Sequence, residues 1–385
     1  MHIPSPIAYI LQKLAAAGYE GYLVGGCVRD FLLGKEPSDF DITTSALPEE
    51  MMAVFAEDRV IPTGLQHGTV TVLHDGMAAE ITTYRTETTY ADGRHPDSVS
   101  FSRDLGDDLC RRDFTVNAMA MDFAGNIVDL YGGRADLDAK IIRAVGDPTL
   151  RFTEDALRIL RAFRFAAKLG FTIEKNTLNA AIALAPRLSL VSRERVFAEL
   201  EKLLCGISAG EILSIMADGG VFEHVFEKPQ IHTAALRYID ALPPRADIRL
   251  AVLLDGDPHA DAHIASLKTS AHFADSVKAI LACELPNTTE LPALRRMIFA
   301  SGKQAALDRA QIEQDQALYE ALSALIERES CFTVADLAIN GGDVIAATNL
   351  RGKAVGEALQ SLLFAVFDEK VSNLREDLMD YLLKS

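Results

Sequence analysis

Residues 22–44 read "YLVGGCVRDFLLGKEPSDFDITT", which sets a diglycine, an arginine and two aspartates one residue apart within one short span. "LVGG" followed by "CVRDFLLG" has the pattern of a strand, a tight turn and a short helix, and "SDFDITT" that of a second strand. On an extended segment, residues i and i+2 share a face, so Asp39 and Asp41 project together while Phe40 turns to the core. Two adjacent carboxylates repel, so the pair calls for a cation between them. Side-by-side hard oxygen ligands suit Mg²⁺, which takes one or two protein carboxylates together with substrate phosphates. Mn²⁺ accepts the same oxygen donors. Two-metal sites of this kind activate an attacking oxygen and stabilise a leaving one. Glu80, in "AAEITTYR", is the expected third carboxylate.

An isolated D-x-D is usually a turn or a solvated strand edge, and the diglycine changes that balance. Glycines such as Gly26 at a strand-to-helix turn let backbone N–H groups approach a phosphate. Arg29, one turn into the helix, can aim its fork at the same group. The spacing matches neither G-x-G-x-x-G nor G-x-x-x-x-G-K-[ST], so a dinucleotide fold and a P-loop are both excluded, and a dehydrogenase with them.

Outward from this stretch, "GTVTVLHDG", "AAEITTYR", "AMAMDFAGNIVDLYGG" and "IIRAV" read as further strands, and "LPEEMMAVFAE" as a helix between them. Upstream, Ile7, Ile10, Leu11 and Leu14 form one face of an amphipathic helix. From Thr153 the texture turns helical, and "TEDALRILRAFRFAAKLG" takes Thr153 as N-cap and Gly170 as stop. "RERVFAELEKLLCG", "AGEILSIMADGGVFEHVF", "IRLAVLLDG" and "GEALQSLLFAVFDEKV" continue it. The expected fold is an α/β head, a small mixed sheet with flanking helices, followed by an all-α remainder.

GG-x-x-R followed ten residues later by D-x-D resembles the nucleotidyltransferase superfamily of template-independent polymerases, and residues 23–44 are similar to the head motif of class II tRNA nucleotidyltransferases (CCA-adding enzymes) and their bacterial poly(A) polymerase relatives. "CRRDFTVNAMAMD" (110–122) resembles that family's RRDFTxNA segment, "EDALRILRAFRF" (154–165) its nucleotide-selecting helix, and "TYRTETTYADGRHPDSVSFSRDL" (83–105) the flexible loop of its CCA-adding members. "INGGDVIAATNLRGKAVGEALQSLL" is similar to its glycine-broken tail helices. The resemblance implies a catalytic head over residues 1–147, a nucleotide-selecting and RNA-binding neck over 148–205, and a tRNA-binding body and tail over 206–385. It also implies addition of C, C and A to tRNA 3′ ends from CTP and ATP in the cytoplasm, with no protein partner and no membrane. The alternatives are a poly(A)- or A-adding relative on the same scaffold and, more remotely, a non-catalytic RNA-binding protein.

Base choice follows from donor and acceptor order. Cytosine and adenine each present an exocyclic amine donor beside a ring-nitrogen acceptor, whereas guanine and uracil present the opposite order. An aspartate that only accepts, beside an arginine that only donates, fits C and A and rejects G and U. Asp155 and Arg158, three apart on an expected helix, match the family's pair and are implied to read the base. Arg161 and Arg164 continue the row beside Leu157, Leu160 and Phe163. With no acid at i+4 of Arg158 or Arg161, the row suggests contacts to an anionic ligand; by resemblance these arginines touch the triphosphate or stiffen the pocket. Arg112 matches the family's ligand-binding arginine, with Arg111 and Asp113 structural or orienting Arg112.

The bulk numbers agree. The 385 residues are 49% hydrophobic and 24% charged, with a net charge of −17, so any RNA site rests on local basic stripes rather than a global field. Candidates are Arg187, Arg193, Arg195, Arg295, Arg296, Lys303, Arg351 and Lys353. Five scattered cysteines without a CxxC pair argue against both a zinc ribbon and a disulfide framework, and for a reducing compartment. No apolar run approaches the ~20 residues of a membrane span, and the N-terminus lacks a signal-peptide pattern. His259 and His263 stand at i, i+4, but Asp257-Pro258 before them reads as a helix start.

Overall fold

The apolar stripe near the N-terminus is α1 (Ser5–Ala16), whose Ile7, Ile10, Leu11 and Leu14 are all buried. The computed structural model describes residues 3–87 and 99–384 and divides into two compact units, Met1–Pro229 and Gln230–Ser385. The first unit holds a mixed sheet with flanking helices, and the second is helical, which is the expected fold class.

In the first unit, β1 (Gly21–Val24) leads into α2 (Gly26–Leu32), and β2 (Asp41–Thr44) into α3 (Pro48–Val54). The strands β3 (Arg59–Gly64), β4 (Thr69–His74) and β5 (Met77–Thr83) follow, then a small separate pair, β6 (Arg85–Glu87) and β7 (Val99–Phe101). After α4 (Leu105–Cys110), the hairpin β8 (Met119–Met121) and β9 (Ile127–Asp129) completes a sheet of order β3-β4-β5-β2-β1-β8-β9. β3 was not expected, because Pro62 interrupts its pattern. It is an edge strand, where a residue without an N–H is tolerated. Of the loop expected over residues 83–105, residues 88–98 lie outside the described residues.

The register places the site. β1 and β2 are antiparallel with Val24 opposite Asp41, so the end of β1, where Gly25 follows, lies beside the start of β2. β8 is antiparallel to β1 with Ala120 opposite Val24, which brings the RRDFTVNA segment to the same end. β5 runs parallel to β2 with Glu80 directly opposite Asp41. Four strands thus deliver four motifs to one edge.

Beyond α5 (Gly133–Asp138) come α6 (Pro148–Glu154), α7 (Leu157–Leu169), α8 (Lys175–Leu184), α9 (Arg193–Leu204) and α10 (Ala209–Asp218). Gly170 ends α7 in the left-handed region at φ 68°, as its position suggested. Thr153 is not an N-cap. It lies inside α6, which Asp147 caps, and its hydroxyl donates back to the Thr149 carbonyl at 2.7 Å.

In the second unit, one core gathers Leu294, Met297, Ile298, Leu318, Leu322 and Phe332, and another Ile339, Val344, Leu359, Leu363, Phe367 and Leu378. Asn340 and Asp343 form a reciprocal cap on the helix Gly341–Thr348, and Asn349 at φ 62° ends it before the helix Lys353–Phe367. Gly352 at φ 59° precedes that helix, so the break expected of glycine is shared between Asn349 and Gly352. Among the described residues no helix is long and apolar enough to cross a membrane. All five cysteines are free.

Candidate active site

Gly25 holds φ 75° and ψ −133°, a backbone region that side chains rarely enter. A Cβ there would also stand 3.1 Å from Nη1 of Arg112 and 3.9 Å from Oδ2 of Asp41. The glycine therefore leaves open a space that a cationic and an anionic side chain both border.

Asp39 and Asp41 are exposed and Phe40 between them is buried, as period-two alternation requires, although the strand proper begins only at Asp41. The Phe40 ring packs 6.1 Å from that of Phe31 on α2, which fixes the turn of the pair. Asp41 titrates above the ordinary aspartate range. Removal from water by the surrounding walls is the largest cause; Asp39 and Glu80 push the same way, and Arg112 opposes them. Its side chain nonetheless keeps a solvent-facing surface. A carboxylate whose pKa its acidic neighbours raise is short of positive charge, and such oxygen donors fit a hard divalent cation. Among the described residues no three His, Cys, Asp or Glu side chains close around a common point. Glu80 thus shares the face of Asp41 without completing a ligand set.

Arg112 donates Nη2 to Asp108 at 2.9 Å, and Arg111 donates to the other Asp108 oxygen at 3.0 and 2.7 Å. Asp108 is fully buried; burial pushes its carboxyl up, but the charges of Arg112 and Arg111 hold it below the usual range. Arg29 is also buried, donating Nε and Nη2 to Asp30 at 2.9 and 2.8 Å and Nη1 to Asn117 at 2.7 Å. Asn117 in turn donates to Asp113 at 3.1 Å, and Asp113 accepts from Arg161 Nε at 2.9 Å. Burial would raise the Asp113 carboxyl; the Arg161 charge and hydrogen bonds, with that of Asn117, bring it down to about 2.

Two expectations about the selecting segment are corrected. Asp155 and Arg158 do not share one helix. The chain breaks at Asp155, whose φ −136° and ψ 106° separate α6 from α7, and its carboxylate accepts from the Leu157 N–H at 3.0 Å. Aspartate competes with the helix by bonding nearby backbone, and here that competition makes a junction. The second Asp155 oxygen meets Arg195 of α9 at 3.2 Å, while Arg158 donates to Glu154 at 2.7 Å and to the Arg111 carbonyl at 2.9 Å. The arginine row also has acidic partners. Arg158 pairs backward with Glu154, Arg161 with Asp113, and Arg164 with Glu199 at 2.8 Å. One acid lies four residues before its arginine and the others on distant segments, where spacing along the helix could not show them. Leu157, Leu160 and Phe163 are buried as expected.

Sequence reasoning missed Asn117, Asp108 and Glu154 as organisers. The spacing of Asp108 four residues before Arg112, and of Glu154 four before Arg158, was the available signal. Of the candidate RNA contacts, Arg295 is buried and spent on Glu329 and the Phe367 carbonyl, and Arg193 donates to the Val225 carbonyl. His263 is buried against Asp257, whose other oxygen caps the His259 N–H at 2.8 Å.

Residues 21–143 match the family model "Poly A polymerase head domain", residues 170–234 that of the RNA and SrmB-binding site of polymerase A, and residues 248–382 that of tRNA nucleotidyltransferase domain 2. The chain is 37% identical to the CCA-adding enzyme of Geobacillus kaustophilus, over 97% of this chain and 95% of that one. It is 39% identical to that of Limosilactobacillus fermentum, over 96% and 94%. The crystal structure of the Bacillus stearothermophilus CCA-adding enzyme in complex with CTP superposes with a TM-score of 0.84 at 35% identity, covering 99% of this chain and 98% of that one. End-to-end similarity at this level, on a sheet edge that carries the paired aspartates, the glycine turn and the RRD arginine, places the chain in the CCA-adding enzyme family of tRNA nucleotidyltransferases.

Proposed function

We propose that the protein adds C, C and A to the 3′ ends of tRNA from CTP and ATP, without a nucleic-acid template and with release of pyrophosphate. The observation that carries this reading is that Asp41 and Arg112 both border the space over Gly25, in a chain that matches CCA-adding enzymes over 97% of its length. Relatives solved with CTP, and with a primer tRNA and an ATP analog, support it.

Nucleotidyltransferases of this family work with divalent metal ions. We assign Mg²⁺, with Mn²⁺ as a substitute, to Asp39 and Asp41, and Glu80 stands by on the shared face. A divalent ion held by these carboxylates would supply charge neutralisation at the reacting phosphate and a lowered pKa for the attacking hydroxyl. Gly25 and Gly26 leave space for the triphosphate, and Arg112, with Arg29 behind it, offers guanidinium donors to its oxygens. Asp155 accepts from the exocyclic amine of C or A and Arg158 donates to the ring nitrogen. Asp113 holds Arg161, and Glu199 holds Arg164, so that these two stiffen the pocket. The tRNA 3′ hydroxyl then displaces pyrophosphate from the α-phosphorus, with alignment and charge as the protein's contribution. Residues 1–147 act as the head, 148–205 as the selecting neck, and 206–385 as tRNA-binding body and tail, in the cytoplasm.

A poly(A)- or A-adding activity is the second reading, favoured by the name of the head-domain model. The test supplies a tRNA transcript lacking CCA, with Mg²⁺, and resolves products nucleotide by nucleotide. Two additions with CTP alone and a third only with ATP support CCA addition. A-only products support the second reading, and no product from the folded protein overturns both.

A further inference from the structure

Phe165 lies on α7 beside the arginine row and is buried, with its ring edge-on to Phe114 at 5.7 Å. Three guanidinium groups stand around that one ring. Arg164 is 3.9 Å from its centroid, Arg29 5.3 Å and Arg161 5.4 Å. Arg29 comes from α2, beside the glycine turn, and the other two from α7, beyond Asp155 and Arg158.

Three like charges at this range repel. Each is offset by one carboxylate: Asp30 for Arg29, Asp113 for Arg161 and Glu199 for Arg164. What lies between them is the electron-rich ring, which attracts a guanidinium more strongly once water is excluded. A second link runs alongside it, from Arg29 through Asn117 and Asp113 to Arg161 by hydrogen bonds of 2.7, 3.1 and 2.9 Å. Burial holds the guanidinium of Arg164 below its ordinary value; Glu199 opposes this, and Arg161 and Arg29 add to it.

We propose that Phe165 is a positioning residue that sets the separation between the triphosphate end of the site, on α2, and the base-reading end, at the start of α7, by seating Arg29, Arg161 and Arg164 around one ring. This inference rests on the reading that a nucleotide spans those two ends. A nucleotide of the wrong base shifts on the reading pair, and the shared ring passes that shift to the arginine behind the phosphates. Base choice and phosphate alignment are thereby one adjustment.

The experiment compares wild type, Phe165→Leu and Phe165→Tyr, each first shown to be folded by thermal melting. It measures KM and kcat for CTP and ATP on tRNA lacking CCA, incorporation of UTP, and CTP binding by calorimetry. For Phe165→Leu the expected result is a KM for CTP and ATP raised about tenfold, about 1.4 kcal/mol, with kcat changed much less. UTP incorporation rises relative to CTP, and Phe165→Tyr, which keeps the ring, stays near wild type. A merely structural role would lower melting temperature and active fraction without moving KM or base choice. Unchanged KM and UTP discrimination in folded Phe165→Leu overturns the proposal while the proposed function stands. Should wild type add no nucleotide at all, the function reading fails, and CTP binding still decides: about tenfold weaker binding in Phe165→Leu sustains the role of the ring, and equal binding removes it.

Discussion

The two ends of the site are built on opposite electrostatic terms. At the carboxylate end, Asp39, Asp41 and Glu80 share a face and raise the pKa of Asp41 at its centre. At the arginine end, Arg158, Arg161 and Arg164 are each already matched by a protein acid. The first end is short of positive charge and waits for a cation. The second is balanced before any ligand arrives, so Arg161 and Arg164 hold geometry rather than attract. Removing a charge should therefore relax the first end and damage the second.

The largest expected effect is catalytic. Asp41→Ala should slow single-turnover addition of CTP by about a thousandfold, since a metal's charge stabilisation is worth several kcal/mol. Asp41→Asn should do the same, yet its melting temperature at neutral pH and without metal should rise. A carboxyl whose folded pKa is raised binds protons more readily folded than unfolded, so its ionised form opposes folding. A lower melting temperature for Asp41→Asn would break the contrast.

Asp113→Ala should do the reverse and cost about 3 kcal/mol of stability, because it leaves a partner charge unpaired in a largely buried setting. The folded pKa of Asp113 is depressed, so its contribution is complete above the unfolded value near ~4 and is lost as pH falls through about 2. Denaturant titrations at pH 7 and pH 3 would show a smaller penalty for the variant at the lower pH, and an equal penalty would argue against the pair.

Asp155→Ala should reduce discrimination of CTP over UTP by about a hundredfold, through loss of one of two base-edge contacts, as measured by competitive incorporation. A smaller effect concerns pH. Metal binding to Asp39 and Asp41 should weaken at a higher pH than expected for ordinary aspartates, since the raised Asp41 carboxyl competes for protons sooner. The least effect belongs to Lys353→Ala, which removes an exposed ion pair with Glu357 and should leave the melting temperature within about 1 °C of wild type.

The carboxylate end was legible in the sequence because its logic is local. Alternation through Asp39, Phe40 and Asp41 and a glycine turn are short-range signals, and the structure keeps them. The arginine end was legible only as a row of cations. Its neutralising acids lie 48 residues away for Arg161 and on another helix for Arg164, and no helical spacing encodes them. The break at Asp155 was hidden for a different reason. The segment has good helical periodicity on both sides, and a single side chain bonding its own backbone interrupts it. At β3, Pro62 masked a strand that the sheet edge accommodates.

The angles of Gly25 carry one more consequence. At φ 75° and ψ −133°, its backbone is close to the reflection of an ordinary extended residue. The position thus rejects L side chains for their handedness, not merely for their size. A D-alanine installed there by chemical ligation would adopt these angles at ease, while its L enantiomer would resist them. Comparing the two epimeric proteins would separate the handedness of the turn from its bulk, a distinction that no genetically encoded substitution can draw.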